Sequence, residues 1–236
     1  MSYIVVLDAG HNDHGMDTGA VGNNLREQDL TLDIALKLRP LLQSNGFTVV
    51  MTREGGLVSD NSTLVASLQS RINIAENAHA DLFVSIHINA GKGTGVEILV
   101  QSVGGRAEKC AKTVLPHLVN AGNWYNRGVK TKNIMVLRET SMPAILGETG
   151  FIDTVSDATK LANSDFRQLL AIAYCKGICE YFGVIFKEGV VQKMADIETK
   201  NDKDVYLSVR VLNSKADLVA KQIIAMGYAT KRLELA

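Results

Sequence analysis

The sequence predicts an α/β fold, with a mostly parallel twisted sheet flanked by helices on both faces and a small C-terminal α/β appendage. Three observations predict it. Short β-type runs alternate with amphipathic stretches at helical spacing. The run at 81–88 (DLFVSIHI) is apolar almost throughout, as expected of a parallel strand buried on both faces. After Gly183 the composition turns from apolar to charged, which marks a boundary.

Residues 4–7 (IVVL) read as the first strand, followed by a polar, glycine-rich segment over 10–24. Leu30, Ile34, Leu38 and Leu41 recur at helical spacing within 28–44, and Asn45-Gly46 supplies the stop. Pro40 lies inside that pattern and should kink or tighten the last turn, at a cost of about 3 kcal/mol if truly interior. Residues 47–52 read as a second strand. A second helix over 64–78 places Leu64, Leu68, Ile72 and Ala75 on one face.

Beyond the strand at 81–88, the pattern predicts a strand at 96–101, a helix at 107–120 and an extended piece at 135–138. A buried strand at 144–148 then runs into Gly147-Glu148-Thr149-Gly150, and a long apolar helix covers 166–182. Residues 1–183 thus make one domain and 184–204 a linker. Residues 205–236 form a β-α-β module, with strands at 205–212 and 228–235 around a helix at 214–226. So small a module lacks a good core and should pack on a neighbour or pair with a copy of itself, giving a homo-oligomer.

Composition excludes several roles. Of 236 residues, 46% are hydrophobic and 21% charged, so a sizeable core can be buried. Lys+Arg and Asp+Glu number 25 each and cancel, which speaks against broad nucleic-acid binding. No stretch is long enough for stable membrane insertion. The run at 4–7 is too short for a secretory h-region and lacks a basic flank, so synthesis in the cytoplasm without a signal peptide is expected. Three cysteines, Cys110, Cys175 and Cys179, point to a reducing compartment, and the last two, one helical turn apart, read as buried thiols on a helix face.

Chemistry concentrates where strands end. His11 follows the first strand, Glu27 stands just before the first helix, and His87 lies at the C-terminal end of DLFVSIHI. In a parallel sheet such ends converge on one edge. Two imidazoles and a carboxylate make a catalytic zinc set with a fourth position open, and they suit zinc better than calcium or magnesium. The alternative is that each is a satisfied core or surface residue, as expected for His14, His79 and His117. Glu148, between two glycines at a buried strand end, reads either as a general base or as a carboxylate paired to Arg127 or Arg138. Asn89 could hydrogen-bond substrate or cap its own loop.

Several motifs in order extend this reading. LDAGH (7–11), TGAVG (18–22), Glu27, TR (52–53), LQSR (68–71), ADLFVSIHINA (80–90), RGVK (127–130), MPAILGETGFI (142–152) and a closing helix with GICEYFG occur together. The chain over 3–183 resembles the zinc-dependent N-acetylmuramoyl-L-alanine amidases of bacterial wall remodelling and phage lysis. The resemblance implies one Zn2+ held by His11, Glu27 and His87, with Glu148 as the catalytic carboxylate. It implies peptidoglycan as partner and wall lysis after release, as by an endolysin or a mother-cell lysin. Glu76 stands where this family usually has Asn, and the loop at 54–62 is longer than usual. The short stretch between His87 and Glu148 leaves no room for a helix that plugs the site. Residues 205–235 resemble half of a sporulation-related repeat domain, which makes the tail a wall-binding or a dimerisation element. Rival readings are another zinc peptidase or deacylase on this scaffold, or a non-catalytic wall-binding module. The glycines of 10–22 form neither GxGxxG nor a P-loop.

Overall fold

The computed structural model describes residues 2–187 and two short strands further on, at Ile197–Thr199 and Val205–Leu207. Six strands form the main sheet: β1 (Ile4–Ala9), β4 (Thr48–Met51), β5 (Leu82–Asn89), β6 (Val96–Val100), β7 (Asn126–Thr131) and β8 (Ala144–Phe151). Their order is β4-β1-β5-β8-β6-β7. All neighbours are parallel except β6 and β8, which are antiparallel. The α/β class with a mostly parallel sheet is therefore the fold.

Helices cover both faces. On one face α1 (Glu27–Ser44), α3 (Arg106–Gly122) and α6 (Ser164–Phe182) pack over Val5, Leu7 and Ala9 of β1 and over Leu82, Val84, Ile86 and Ile88 of β5. On the other, α2 (Leu64–Asn77) and the single-turn α4 (Met135–Arg138) pack over Val6, Phe83, Leu99, Ala144 and Leu146. Side chains alternate along a strand with period two. Asp8, Ser85, His87, Glu97 and Glu148 thus share the parity of the residues that face α2 and α4. The apolar floor of that face gives way to polar groups at the carboxyl ends of β1, β5 and β8.

Local chemistry sets the helix ends. Thr63 caps α2 by accepting the Ala66 amide at 3.0 Å. Asn163 caps α6 by accepting the Asp165 amide at 2.8 Å, and Gly183, at φ 70°, ends it. Pro40 is accommodated inside α1. The three cysteines are buried and free. No helix of the described residues is long and apolar enough to cross a membrane.

The structure corrects several expectations. Residues 135–138 form the helix α4 rather than an extended piece, because one turn is too short to display a period. The segment 10–24 holds a hairpin of β2 (Val21–Gly22) and β3 (Leu25–Arg26), turned by Asn23 and Asn24 at φ 49° and 61°. Strand β8 does not stop at Glu148 but continues to Phe151, so Glu148 lies within it. Edge strand β7 and helix α5 (Val155–Ala162) were not legible as separate elements. Main-chain contacts divide the chain into Met1–Lys187 and Glu188–Ala236. The stretch read as a linker contains β9 (Ile197–Thr199), paired antiparallel with β10 (Val205–Leu207). The expected helix at 214–226 and strand at 228–235 lie outside the described residues.

A buried ion pair joins β1 to α2. Asp8 and Arg71 are each 1% exposed, and Arg71 donates to Asp8 Oδ1 at 2.6 Å. Thr52 donates to the same oxygen at 2.7 Å and Ser85 to the other at 2.6 Å. Burial pushes the Asp8 pKa up, but the Arg71 charge and these hydrogen bonds outweigh it and hold the carboxyl below its usual range. Arg71→Met should destabilise the protein by about 3–5 kcal/mol in urea titrations, because it strands a buried carboxylate. Since the folded pKa lies below the unfolded one, Asp8 stabilises the protein fully above pH 3.8 and loses that contribution as pH falls further. Acid titration of Asp8→Asn should therefore show a shallower loss below that pH. Equal slopes would contradict this assignment.

Candidate metal centre

The loop leaving β1 is held from both sides by arginines. Arg53 donates to the carbonyls of Ala9 at 2.9 Å and Gly10 at 3.1 Å. Arg71 donates to the carbonyls of Ala9 and His11, each at 2.8 Å. His11 takes the left-handed conformation, at φ 65°, which is uncommon for a residue with a side chain. These carbonyl anchors keep it there and aim its ring over the sheet edge.

Glu27 is the first residue of α1, where the helix dipole favours a carboxylate. Its two oxygens have different partners. Oε2 accepts the Ala20 amide at 2.9 Å. Oε1 accepts the Ile88 amide at 3.0 Å and lies 3.2 Å from His11 Nε2 and 3.1 Å from His87 Nδ1. The two rings stand nearly perpendicular, at 80°, with centroids 4.6 Å apart. The three residues that the sequence separates by up to 76 positions thus meet at one carboxylate oxygen, with donor atoms all within 4.8 Å.

Two glycines allow this approach. A Cβ on Gly10 would lie 2.5 Å from His87 Cε1 and Nε2. One on Gly19 would lie 2.8 Å from Glu27 Cβ and 2.9 Å from His11 Cδ2. Gly10 of LDAGH and Gly19 of TGAVG are therefore space requirements of the cluster.

The electrostatics favour a cation. Burial pushes the His11 pKa down, but hydrogen bonds and charges from Asp17 and Glu27 outweigh it and raise it to about 10. Burial likewise pushes Glu27 up, yet the hydrogen bonds and charges of His11 and His87 hold it well below the usual range. With both its nitrogens facing carboxylates, His11 must carry two protons unless another positive charge takes the place of one. Nitrogen–oxygen separations of 3.1 and 3.2 Å match the roughly 3.3 Å between ligand atoms of a tetrahedral zinc site. The donor set fits the ion that the sequence implied.

Glu148 stands beside His87 in the β5–β8 register. Neither expected arginine pairs with it. Arg127 bonds Glu97 at 2.6 Å, and Arg138 bonds Glu139 and Asn133. Glu148 Oε2 is buried without a hydrogen-bond partner among the described residues. Burial raises its pKa, the charges of Glu27 and Glu97 raise it further, and those of His87 and Lys132 oppose. Asn89 caps its own loop by accepting the Ala90 amide at 2.8 Å and donates to Glu97 Oε1 at 3.3 Å. All five residues line one cleft of about 320 Å3, whose other wall includes Leu64, Leu68, Ile134 and Val136. His14, His79 and His117 stand apart from it. His117 instead meets Glu180 at 2.9 Å.

Sequence reasoning missed the groups that support the cluster. Asp17 sits 3.1 Å from His11 Nδ1, and Arg53, Arg71 and Asp8 carry the loop. The arginines stood in the quoted TR and LQSR motifs, but nothing in a linear sequence marks an arginine as buried.

Known proteins share this arrangement of chain. A profile of the N-acetylmuramoyl-L-alanine amidase family matches residues 5–180. A sporulation-specific N-acetylmuramoyl-L-alanine amidase of Bacillus subtilis is 43% identical over 181 residues, covering 76% of this chain and 68% of that protein. An endolysin of Bacillus phage SPP1 is 36% identical over 197 residues, covering 80% and 69%. The solved catalytic domain of CwlV, an amidase from Bacillus (Paenibacillus) polymyxa var. colistinus, superimposes with a TM-score of 0.70 at 32% identity. That superposition covers 78% of this chain and 99% of the CwlV domain. With the profile spanning most of the chain and the fold in agreement, the chain belongs to the N-acetylmuramoyl-L-alanine amidase family, enzymes that hydrolyse peptidoglycan.

Proposed function

We propose that the cleft cuts the amide between N-acetylmuramic acid and L-alanine, with one Zn2+ held by His11, Glu27 and His87 and with Glu148 moving the proton. The observation that carries this is the convergence of two imidazole nitrogens on Glu27 Oε1 beside an unpartnered carboxylate of raised pKa. Zinc, when bound, lowers the pKa of water toward 7 and polarises a carbonyl. The protein's own groups do the rest.

Glu148 Oε2 has no hydrogen-bond partner among the described residues, which leaves that oxygen free to take up and release a proton. Its raised pKa brings it closer to neutrality, where general base and general acid roles can alternate. It takes a proton from the attacking water as the oxygen bonds to the lactyl carbonyl carbon. It then delivers that proton to the alanine nitrogen as the C–N bond breaks. The products are a lactyl carboxylate and a free amine. Asn89 lines the cleft next to this acid, and Leu64, Leu68, Ile134 and Val136 supply its apolar lining. The bacteriolytic setting of an endolysin is consistent with the phage relative. The tail beyond Lys187 serves wall binding or dimerisation in this reading.

Mass spectrometry of digested peptidoglycan should find stem peptides with a free N-terminal L-alanine. Cleavage elsewhere in the peptide would make this another peptidase. Glu148→Gln should retain zinc but lose at least ~100-fold in wall hydrolysis. His87→Ala should lose both metal and activity. Because His11 keeps its extra proton up to about pH 10 in the metal-free protein, an incoming cation must displace it. Apparent zinc affinity, measured by chelator competition, should therefore rise with pH below that value, by up to about tenfold per unit. An affinity that is flat across the neutral range would contradict this exchange.

A further inference from the structure

The geometry assigns Asp17 a positioning role: it holds His11 in one tautomer and one direction, through a relay anchored on helix α2. The inference rests on the metal reading of the cluster and concerns a residue outside the ligand set.

Asp17 Oδ1 lies 3.1 Å from His11 Nδ1. Its other oxygen, Oδ2, accepts the Ser67 hydroxyl of α2 at 3.0 Å, and an Arg71 nitrogen stands 3.6 Å away. The Ser67 oxygen also accepts the Asn12 side-chain amide at 2.9 Å, so its single hydrogen is committed to Asp17. Asn12 is fixed in turn. Its backbone amide donates to the Asp17 carbonyl at 2.9 Å, and its Oδ1 accepts the Val58 amide at 3.1 Å. The Asp17 side chain is 9% exposed.

An ionised carboxylate can only accept. His11 Nδ1 therefore carries the hydrogen, and Nε2 is left as the atom that faces Glu27 Oε1 at 3.2 Å. His87 presents the opposite nitrogen, Nδ1, to the same oxygen. The two histidines are thus not equivalent. His87 is placed by strand β5 and by contact with Gly10, whereas His11 hangs from a loop and needs a partner for its far nitrogen. Both His11 and Asp17 adopt left-handed backbone, at φ 65° and 67°. Two such residues in one short loop indicate that the surroundings over-determine its shape. Ligating histidines commonly hand their second nitrogen to a carboxylate, and losing that partner weakens metal binding about 10–100-fold.

The test uses the full chain and zinc alone. Zinc dissociation constants are measured by competition with a chromophoric chelator for wild type, Asp17→Ala, Asp17→Asn and Ser67→Ala. Ring nitrogen shifts of His11 in 15N-labelled, zinc-loaded protein report its tautomer. Asp17→Ala should bind zinc about 10–100-fold more weakly, and its His11 Nδ1–H, left without an acceptor, should shift and exchange faster with water. Asp17→Asn, whose amide oxygen can still accept, should fall between it and wild type, and Ser67→Ala should lose only a few-fold. Thermal unfolding of each metal-free variant separates loss of fold from loss of positioning. If Asp17→Ala does not fold, Asp17→Asn and Ser67→Ala decide. Unchanged zinc affinity and an unchanged His11 signal in the folded variants would overturn the role of Asp17. A wild-type chain that binds no zinc would instead overturn the metal reading beneath it.

Discussion

One oxygen atom organises the functional end of this protein. Glu27 Oε1 receives the Ile88 amide and faces a ring nitrogen from each of two histidines, at 3.1 and 3.2 Å. Glu27 is 5% exposed, and a carboxylate so placed keeps its charge only if positive charge lies against it. Without metal, protonated imidazole supplies that charge. The raised pKa of His11 and the lowered pKa of Glu27 are two views of this requirement. A divalent cation would supply the same charge, and the cluster lines the cleft that also contains Glu148.

The sheet delivers these groups together because parallel strands end on one side. Along β1, β5 and β8 the face toward α2 and α4 starts with Val6, Phe83 and Ala144 and ends with Asp8, Ser85, His87 and Glu148. The buried pair of Asp8 and Arg71 forms the transition between floor and site. Its arginine reaches past Asp8 to the carbonyls of Ala9 and His11, so the interaction that stabilises the fold also fixes the loop of the first histidine. Stability and ligand geometry share atoms here.

Much of this was legible in the sequence because it follows from period and spacing. The apolar runs at 4–7 and 81–88 marked strands in the right places, and histidines at their carboxyl ends pointed to one edge. Glu27 was legible from its place at a helix start. What stayed hidden depends on the third dimension. Burial of Arg53 and Arg71 arises from loops folding over them, and a charged residue in a helix reads as solvent-facing. Asp17 meets His11 only because Asn12 and Ser67 close the loop. The Asn23-Asn24 hairpin hid in a polar segment, and α4 was too short to show a period. Glu148 was expected at a strand end, yet β8 runs on to Phe151. Position 147 of that strand requires glycine, because any Cβ would meet the Tyr174 hydroxyl at 2.0 Å.

The most direct measurement is anomalous X-ray scattering at the zinc edge from crystals of the zinc-loaded chain. A single strong peak should lie about 2.0–2.2 Å from His11 Nε2, Glu27 Oε1 and His87 Nδ1. A peak at another place, or none while those three side chains bond only to one another, would contradict a metal centre here.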